Sequence, residues 1–507
     1  MLTFLLVLIS FQQITCKNIL YVDLVPSPSH HGWNEVLIEG LLSRNHNVTM
    51  IGYYDSKIKH PNYEVLQIDI KPFTHSVDAA FQQMSASGSA SIKGTLGLAA
   101  YVENSCKYCL KTQQFKQLLD YPKDLFDMII FDVIYAECYL PLIDHFGLPP
   151  VVAVTAFGMY SYINDVMGQT TENYIPYFAL PYSDHMNFFE RIHSSFYLTM
   201  ESIIRLNNLK NLNDISKETF GPKSRSIEDL FKEISLMFPN DHPILDYPKP
   251  TAPNVIPIGG VQVKPPKKLD KDLQKILDDS KQGVIFVSLG SNFVPKYYGK
   301  HAIKSFKESF SKLNQTILWK FDDDDLPKNV ITRKWFSQTD ILAHPNTKLF
   351  ITHCGGLSTQ ETIIRGVPVI GIPLFFDQYS QAGKIQSING GVVLKYWELT
   401  TENVYNSILE VLSNPVYKNN MKRLSTLYNE QPENQLEKFL LWVDYVLKHG
   451  HLNHLSLGSR EMRWYQVNNW DVYAFGVGVC LLFYILFNKL SCVILKMNTT
   501  ERKEKIN

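Results

Sequence analysis

Apolar and polar positions alternate in a similar way in the two halves of the chain. In the first half, residues 19–25 predict a buried strand, 26–32 a polar loop, 33–43 a helix and 47–52 a second strand. Strands separated by helices favour a parallel sheet, whose ligand-binding loops lie at the carboxyl ends of the strands. We therefore expect polar residues just after these strands to line a binding site.

The pattern restarts after a proline-rich stretch at residues 248–266, which predicts an interdomain linker. An apolar strand at 283–291 runs into a Gly-Ser loop, and residues 348–373 predict a strand–helix–strand unit. The sequence thus predicts two α/β domains, at about 17–250 and 255–450.

Both ends of the chain carry membrane-targeting patterns. Residues 1–16 predict a cleaved secretory signal peptide, because their apolar run is too short to cross a bilayer and a strand follows at once. Residues 472–495 are mostly apolar, and basic residues follow at 496–507. This predicts one transmembrane helix with a cytosolic tail, hence a single-pass type I protein with its domains in the lumen. Lys503 and Lys505 resemble an endoplasmic-reticulum retrieval signal, although a stop-transfer flank has the same composition.

Charge and composition exclude some partners. The chain has 49 Lys and Arg against 49 Asp and Glu, so no basic face for nucleic acid is expected. The aspartate run at 322–325 lies between a strand and Leu-Pro, and is typical of a solvated turn rather than of a manganese site. We expect no metal and no cofactor.

The cysteines and sequons fit an oxidising lumen. Cys106 and Cys109 form a single CxxC, and a zinc site would need a second pair. A redox dithiol, a local disulfide and two unpaired helix cysteines all remain open. Asn47 and Asn314 each begin an Asn-X-Thr sequon and are the predicted glycosylation sites.

The clearest candidate chemistry lies in the second domain, where a predicted strand ends in Thr-His-Cys-Gly-Gly and a helix begins. Helix N-termini bind anions through free N–H groups, and Gly355 and Gly356 allow a phosphate to approach the backbone. His353 adds a donor there. Glu361, two turns further along the helix, offers a carboxylate to a ribose diol.

The spacing of further residues makes this motif specific. The set comprises Trp335, Gln338, His344, Pro345, His353, Gly355, Ser358, Glu361, Gly366, Pro368, Pro373, Asp377 and Gln378. It closely resembles the donor-binding signature of the UDP-glycosyltransferases (UDP-glucuronosyltransferases and UDP-glucosyltransferases), with the membrane-bound insect-type members most similar. The resemblance covers most of the chain and implies the GT-B fold, two Rossmann-like domains with a cleft between them.

The resemblance also implies a role for each UDP-sugar-binding residue. Trp335 would stack on uracil beside Gln338, and Glu361 would bind the ribose hydroxyls. The residues expected to hold the diphosphate are Ser291, His353, Gly356 and Ser358, with Gly355 next to them. Asp377 and Gln378 would bind the sugar hydroxyls. Leu357 stands where many relatives carry a polar residue, so one contact to phosphate or sugar is expected to be missing or moved.

The acceptor domain needs a general base, because an attacking alcohol must lose its proton as the new bond forms. His30 lies in the predicted loop after the first strand, and Asp132 ends a later strand, so the two could meet at one sheet edge. His31 is adjacent, and physical reasoning alone does not separate the two histidines. The family pattern puts the base at His30 and its partner at Asp132.

The expected reaction is inverting transfer of a hexose from UDP-hexose to a small lipophilic acceptor, in the endoplasmic reticulum membrane. Glucose is the expected sugar, since the insect-type relatives mostly use it. UDP-glucuronate as donor, a lipid-linked acceptor, and a non-catalytic lumenal carrier of lipophiles or nucleotide sugars are the alternatives. An aromatic stretch from Tyr160 to Phe189 could wall a flat apolar acceptor or belong to the core. The oligomeric state is open, with a homo-oligomer among the options.

Overall fold

The computed structural model describes residues 16–72, 91–290, 299–323 and 325–504, without the side chains of 494 and 496–504. Three predictions fall wholly or partly outside this range: the signal peptide, the phosphate ligand Ser291, and the retrieval signal at Lys503 and Lys505.

The first domain is built on a six-stranded parallel sheet in the order β3-β2-β1-β4-β5-β6. Its strands are β1 (Asn18–Asp23), β2 (Asn47–Gly52), β3 (Tyr63–Gln67), β4 (Met128–Asp132), β5 (Val151–Thr155) and β6 (Ile234–Pro239). Its helices are α1 (Pro28–Ser43), α2 (Ile92–Cys109), α3 (Gln113–Leu119), α4 (Leu142–His145), α5 (Ser161–Met167), α6 (Phe188–Phe220) and α7 (Ile227–Phe231). Apolar clusters fill both faces of the sheet, as expected where helices cover a parallel sheet on both sides.

Helix α1 begins earlier than predicted. Pro28 occupies its first turn after the N-cap Ser27, so His30 and His31 lie on the helix rather than in a loop. The fixed φ of proline suits the first turn of a helix, where its missing N–H costs no hydrogen bond. The prediction of a loop through residue 32 is therefore wrong, and both histidines gain a fixed direction from the helix.

The second domain repeats the architecture with sheet order β12-β11-β10-β7-β8-β9, also parallel. Its strands are β7 (Val284–Ser288), β8 (Thr316–Trp319), β9 (Val330–Thr332), β10 (Thr347–Thr352), β11 (Val369–Gly371) and β12 (Gly391–Val393). Its helices are α8 (Lys271–Asp279), α9 (Lys300–Phe310), α10 (Gln338–Ala343), α11 (Gly356–Arg365), α12 (Gln378–Ser387), α13 (Thr401–Ser413) and α14 (Pro415–Asn429). The predicted strand–helix–strand unit corresponds to β10, α11 and β11.

The next helix, α15 (Gln435–His449), returns to the first domain. Its buried residues Phe439, Val443 and Val446 join the apolar cluster on one face of the first sheet. Arg44 at the end of α1 also pairs with Asp444 on this helix. The chain therefore crosses between the domains twice, once through the linker and once into α15, and both crossings connect the two sheets.

The chain ends in α16 (Trp464–Val467) and α17 (Trp470–Glu504). Within α17, residues Trp470–Val493 are long and apolar enough to cross a membrane, with a mean hydropathy of 1.9 and no burial against the protein. This helix corresponds to the span predicted at 472–495. Just before it, Arg460 donates to the carbonyls of Phe231 and Ile234, which ties the pre-membrane segment to the first domain.

None of the alternatives predicted for Cys106 and Cys109 gave the pairing that the structure shows. Cys106 forms a disulfide with Cys138, which lies 32 residues further along the chain, not with Cys109. Cys109 is a buried free thiol within 3.1 Å of the Tyr53 hydroxyl. The CxxC spacing is therefore that of one structural disulfide residue and one buried thiol on helix α2.

Candidate functional site

A cavity of about 470 Å³ opens where the carboxyl ends of the two sheets face each other. Every predicted donor-binding residue that the structure describes lines it: Trp335, Gln338, His353, Gly355, Gly356, Ser358, Glu361, Asp377 and Gln378. His30 lines it from the opposite domain. The two halves of the predicted chemistry thus share one enclosed space.

The anion-binding end is formed where β10 passes into α11. Gly355 is the N-cap and carries no capping side chain. Of the first-turn N–H groups of α11, that of Gly356 donates to Asp377, and those that follow are left for an anion. The His353 ring packs tightly against the backbone, since a Cβ on Gly290 would lie 2.5 Å from its Nε2 and one on Gly355 would lie 2.6 Å from it. Glycine is therefore required at both positions.

His353 is set up as a neutral donor. Burial, with a smaller contribution from Lys320, lowers its pKa to about 4, so the imidazole carries no charge near neutral pH. A neutral ring still donates one N–H, and the charge of a bound diphosphate would favour protonation of the second nitrogen. His353 can therefore bind a phosphate in either form.

The nucleoside end joins two helices through one amide. The Gln338 side chain, at the start of α10, donates to Glu361 Oε2 at 2.8 Å and to Ser358 Oγ at 3.0 Å. Burial raises the pKa of Glu361 to about 7, and the Gln338 hydrogen bond opposes that rise. The carboxylate is therefore fixed in place, with acceptor capacity left for a diol.

Trp335 lines the cavity and has 69% of its area exposed. Such exposure is unusual for tryptophan and leaves an aromatic face free to stack on a base. The Lys320 ammonium lies 5.0 Å from the ring centroid, and it also donates to the Gly290 carbonyl at 3.2 Å. Sequence reasoning missed Lys320, although its position directly after strand β8, at the ligand-binding edge, was the available signal.

The pair of residues predicted to bind the sugar, Asp377 and Gln378, lies at the start of α12. Asp377 Oδ2 accepts from the backbone N–H of Gly356 at 3.2 Å, which ties it to the phosphate-binding turn. Gln378 Oε1 accepts from the N–H of Leu374 at 2.8 Å. The amide NH₂ group of Gln378 therefore points away from Leu374. Burial raises the pKa of Asp377 to about 7. One carboxylate and one amide are thus presented next to the anion site.

Across the cavity, His30 and Asp132 approach each other. His30 Nδ1 lies 4.0 Å from Asp132 Oδ2, which is longer than a hydrogen bond. Burial lowers the pKa of His30 to about 4. It also raises the pKa of Asp132 to about 8, helped by the negative charge of Asp23. The Phe157 ring packs edge-on against His30, with centroids 4.5 Å apart.

His31 has a different environment. Its Nδ1 lies 2.7 Å from Asp23 Oδ2 and its Nε2 lies 3.7 Å from Glu35, and it does not line the cavity. Both ring nitrogens therefore face carboxylates within the protein. Among the two adjacent histidines, the one facing the cavity is His30.

Comparison with known proteins now decides the family. Residues 41–505 match the family model described as UDP-glucoronosyl and UDP-glucosyl transferase. The chain belongs to this family. A UDP-glucosyltransferase 2 of Dactylopius coccus is 30% identical, over 94% of this chain and 93% of its own length. A UDP-glucuronosyltransferase 1A7 of Mus musculus is 31% identical, over 75% of this chain and 72% of its own.

Solved structures agree with this UDP-glycosyltransferase in fold. The glycotransferase of kitacinnamycin superposes with a TM-score of 0.57 at 15% identity, covering 85% of this chain and 99% of its own. CalG4, the calicheamicin glycosyltransferase, gives 0.55 at 14%, covering 86% and 99%. The predicted GT-B fold is confirmed, and the transferase is an enzyme with glucosyl and glucuronosyl relatives.

The acceptor end of the transferase is apolar. Leu98, Tyr101, Ile134, Tyr135 and Phe157 line the cavity around His30. The aromatic stretch from Tyr160 to Phe189 does not line this cavity, and its exposed members include Phe189. The wall that this stretch could have formed comes instead from helix α2 and from the loops after β4 and β5.

The described residues of the aspartate run, Asp322, Asp323 and Asp325, form ion pairs with lysines of the second domain. Asp322 pairs with Lys334 and Asp323 with Lys307, at 3.2 and 3.0 Å. Among the residues that the structure describes, no group of three or more His, Cys, Asp or Glu side chains is arranged to hold a metal ion.

Proposed function

We propose that this transferase moves a hexose from a UDP-sugar to a hydroxyl of a small lipophilic acceptor, with inversion at the anomeric carbon. The observation that carries the proposal is the shared cavity, in which His30 faces the anion-binding turn between β10 and α11. An acceptor oxygen next to His30 would therefore reach an anomeric carbon whose leaving group lies on that turn.

His30 would act as the general base through Nε2. Its Nδ1 faces Asp132, so Nε2 is the nitrogen available to the acceptor hydroxyl. Since burial keeps the pKa of His30 near 4, the ring is neutral and able to take a proton over the physiological range. As the acceptor oxygen bonds to the anomeric carbon, its proton passes to Nε2. The positive charge of the imidazolium favours the ionised form of Asp132, which in turn stabilises the imidazolium.

The leaving group would be UDP, formed as the bond from the anomeric carbon to the β-phosphate oxygen breaks. The negative charge on that oxygen is then met by His353, the Ser358 hydroxyl and the N–H groups of α11. These donors are fixed before reaction, because the ring of His353 is wedged between Gly290 and Gly355. Little reorganisation is needed as charge develops.

Glucose is the proposed sugar. Asp377 and Gln378 offer an acceptor and a donor to neutral hydroxyls. A glucuronate carboxylate would instead favour a cation. Among the described residues that line the cavity, Lys320 is the one Lys or Arg side chain, and it lies at the nucleoside end over Trp335. UDP-glucuronate therefore stays the second candidate donor.

The proposed location is the endoplasmic reticulum membrane, with the two domains in the lumen. The apolar helix at Trp470–Val493 supports membrane anchoring. The disulfide between Cys106 and Cys138 supports an oxidising compartment, because such bonds are rare in the cytosol. The predicted glycosylation sites Asn47 and Asn314 are both exposed, as modification would require.

The test measures UDP release by the full-length protein with UDP-glucose, UDP-glucuronate and UDP-galactose in turn, against phenols and steroids. With the preferred donor, His30→Gln should lower kcat by about 10²- to 10⁴-fold, the usual contribution of a general base, while UDP affinity stays within about twofold. His242→Gln is the matched control, since this buried histidine lies in the same domain and outside the cavity. Equal loss of turnover and UDP binding would remove His30 from the base role. UDP binding without turnover on any donor would favour the carrier alternative.

A further inference from the structure

Asn34 joins two buried carboxylates next to the proposed base. It lies on α1, one helical turn after His30, and its side chain is completely buried. Its amide NH₂ group donates to Asp23 Oδ1 and to Asp132 Oδ2, at 3.0 Å in each case. Both N–H groups of one amide are thus used on carboxylates.

The orientation of the Asn34 amide is fixed by a hydrogen bond to its oxygen. The Tyr21 hydroxyl donates to Asn34 Oδ1 at 2.8 Å. In the flipped orientation the amide oxygen of Asn34 would face the carboxylates of Asp23 and Asp132, and its NH₂ group would face the hydroxyl of Tyr21. Hydrogen bonding therefore selects the orientation in which Asn34 donates to Asp23 and Asp132.

The two carboxylates are forced together by the sheet. Strands β1 and β4 are parallel neighbours with Val22 paired to Phe131, so the residues that follow them, Asp23 and Asp132, lie side by side at one edge. Both are about 1% exposed. Two ionised carboxylates in such a place repel each other, and each needs its own compensating donors.

Asp23 and Asp132 share Asn34 as a donor but differ in their other partners. Asp23 Oδ2 meets His31 Nδ1 at 2.7 Å. Asp132 Oδ1 accepts from the Ile134 N–H at 3.2 Å, while Oδ2, the atom nearest His30, accepts from Asn34. Asn34 is therefore the side-chain donor that supports the Asp132 oxygen proposed to face the imidazolium.

We propose that Asn34 is a positioning residue for catalysis, holding Asp132 Oδ2 toward His30 Nδ1 and favouring the ionised form of Asp132 beside Asp23. This rests on the proposed function, in which His30 and Asp132 act as base and partner. His31 and Asp23 then form a separate pair that balances charge at the same edge without touching substrate. The adjacent histidines thus have different roles.

The proposal predicts the direction of a pH effect. The hydrogen bond from Asn34 lowers the pKa of Asp132, against the rise that burial and Asp23 cause. Without Asn34 that pKa must rise further, so Asp132 is protonated over a wider range and cannot stabilise the imidazolium. The titratable groups that face Asp132 from β1, α1, its own loop and α5 are Tyr21, Asp23, His30, Tyr135 and Tyr162.

The experiment records kcat/KM from pH 5.5 to 9.5 for the full-length protein and for Asn34→Leu, which has nearly the same volume. In Asn34→Leu we expect the acid limb of the kcat/KM profile, the part in which kcat/KM rises with pH, to move to higher pH. At pH 7 the loss should be about 10- to 100-fold, the range for removing a hydrogen bond to a charged group, with partial recovery at high pH. UDP affinity and the thermal midpoint are measured in parallel. Asn254→Leu, at another fully buried asparagine, which lies in the interdomain linker away from the cavity, is the matched control.

Tyr21→Phe gives an independent variant if Asn34→Leu does not fold. It removes only the hydroxyl that orients the amide, so it should shift the acid limb in the same direction by a smaller amount. In an Asp132→Asn background, neither variant should shift the residual pH profile. An unshifted profile, or a loss of equal size at every pH, would overturn the positioning role.

These outcomes are distinct from failure of the proposed function. If His30→Gln keeps its turnover, the base assignment fails, and the Asn34 proposal fails with it. If His30→Gln is inactive but the Asn34→Leu and Tyr21→Phe profiles are unshifted, only the positioning role is refuted.

Discussion

Trp335 offers the most direct test of the nucleotide end of the cavity. The perturbation is Trp335→Ala, which removes the exposed indole and leaves the backbone between β9 and α10 unchanged. With 69% of its area exposed, this side chain contributes little to the core, so the thermal midpoint should hardly move. The effect should fall on UDP.

The magnitude follows from stacking. A base stacked on an aromatic side chain contributes about 1–3 kcal/mol, so the Kd for UDP should rise by about 5- to 150-fold. The Lys320 ammonium, 5.0 Å from the ring centroid, reduces this gain if uracil takes the same face, because an exposed cation–π contact is worth about 0.5–1 kcal/mol. Subtracting that contribution leaves at most about 2.5 kcal/mol, so we expect the Kd for UDP to rise by about tenfold, and by no more than about seventyfold.

The assay is isothermal titration with UDP and with pyrophosphate, on the wild type, Trp335→Ala and Trp335→Phe. Pyrophosphate lacks the base, so its affinity should not change, and Trp335→Phe should keep part of the UDP affinity. Trp397→Ala is the matched control, since this tryptophan of the same domain is half-exposed and does not line the cavity.

Two results would refute this reasoning. Unchanged UDP affinity in Trp335→Ala would mean that uracil does not stack on this ring. Equal losses for UDP and pyrophosphate would mean that the substitution disturbs the phosphate-binding turn rather than the base contact.

Three further predictions concern the ribose contact, the disulfide and the orientation in the membrane. Glu361→Gln should weaken UDP by about tenfold or more and 2′-deoxy-UDP much less, measured by titration. Burial raises the pKa of Glu361 to about 7, so the UDP affinity of the wild type should fall as the pH drops through 7. Glu361→Gln should lose this pH dependence. If the variant keeps it, Glu361 is not the ribose-binding carboxylate. Replacing Cys106 and Cys138 by alanine should lower the thermal midpoint, because a loop of 32 residues predicts a loss of about 3–4 kcal/mol; an unchanged midpoint would argue against the bond. Asn47→Gln and Asn314→Gln should each remove one endoglycosidase-H-sensitive band shift; no shift in the wild type would argue against a lumenal orientation.

The alternation of strands and helices was readable from the sequence because it depends on local periodicity. Buried parallel strands appear as short apolar runs, and the Thr-His-Cys-Gly-Gly turn marks where β10 passes into α11. The family signature within residues 335–378 was readable because its residues lie within 44 positions of one another in the chain. The apolar helix near the C-terminus needed only length and composition.

The local pattern of apolar and polar residues placed the start of α1 too late. As a result, His30 and His31 were predicted to lie in a loop rather than on the helix. Because the helix begins at Pro28, His30 and His31 follow each other at a fixed angle, and one faces the cavity while the other faces Asp23. Adjacent residues of the same type carry no sequence signal that separates them. Only the packing of α1 against the sheet distinguishes the two histidines.

The sequence by itself determined the family, the two α/β domains and the residues of the second domain that line the cavity, because each depends on residues close together in the chain. Only the tertiary structure decided the pairing of Cys106 with Cys138, the return of α15 to the first domain, and the bridge from Asn34 to Asp132. The physical reason is distance along the chain. These partners are brought together by strand order and helix packing, which no local run of apolar and polar residues encodes.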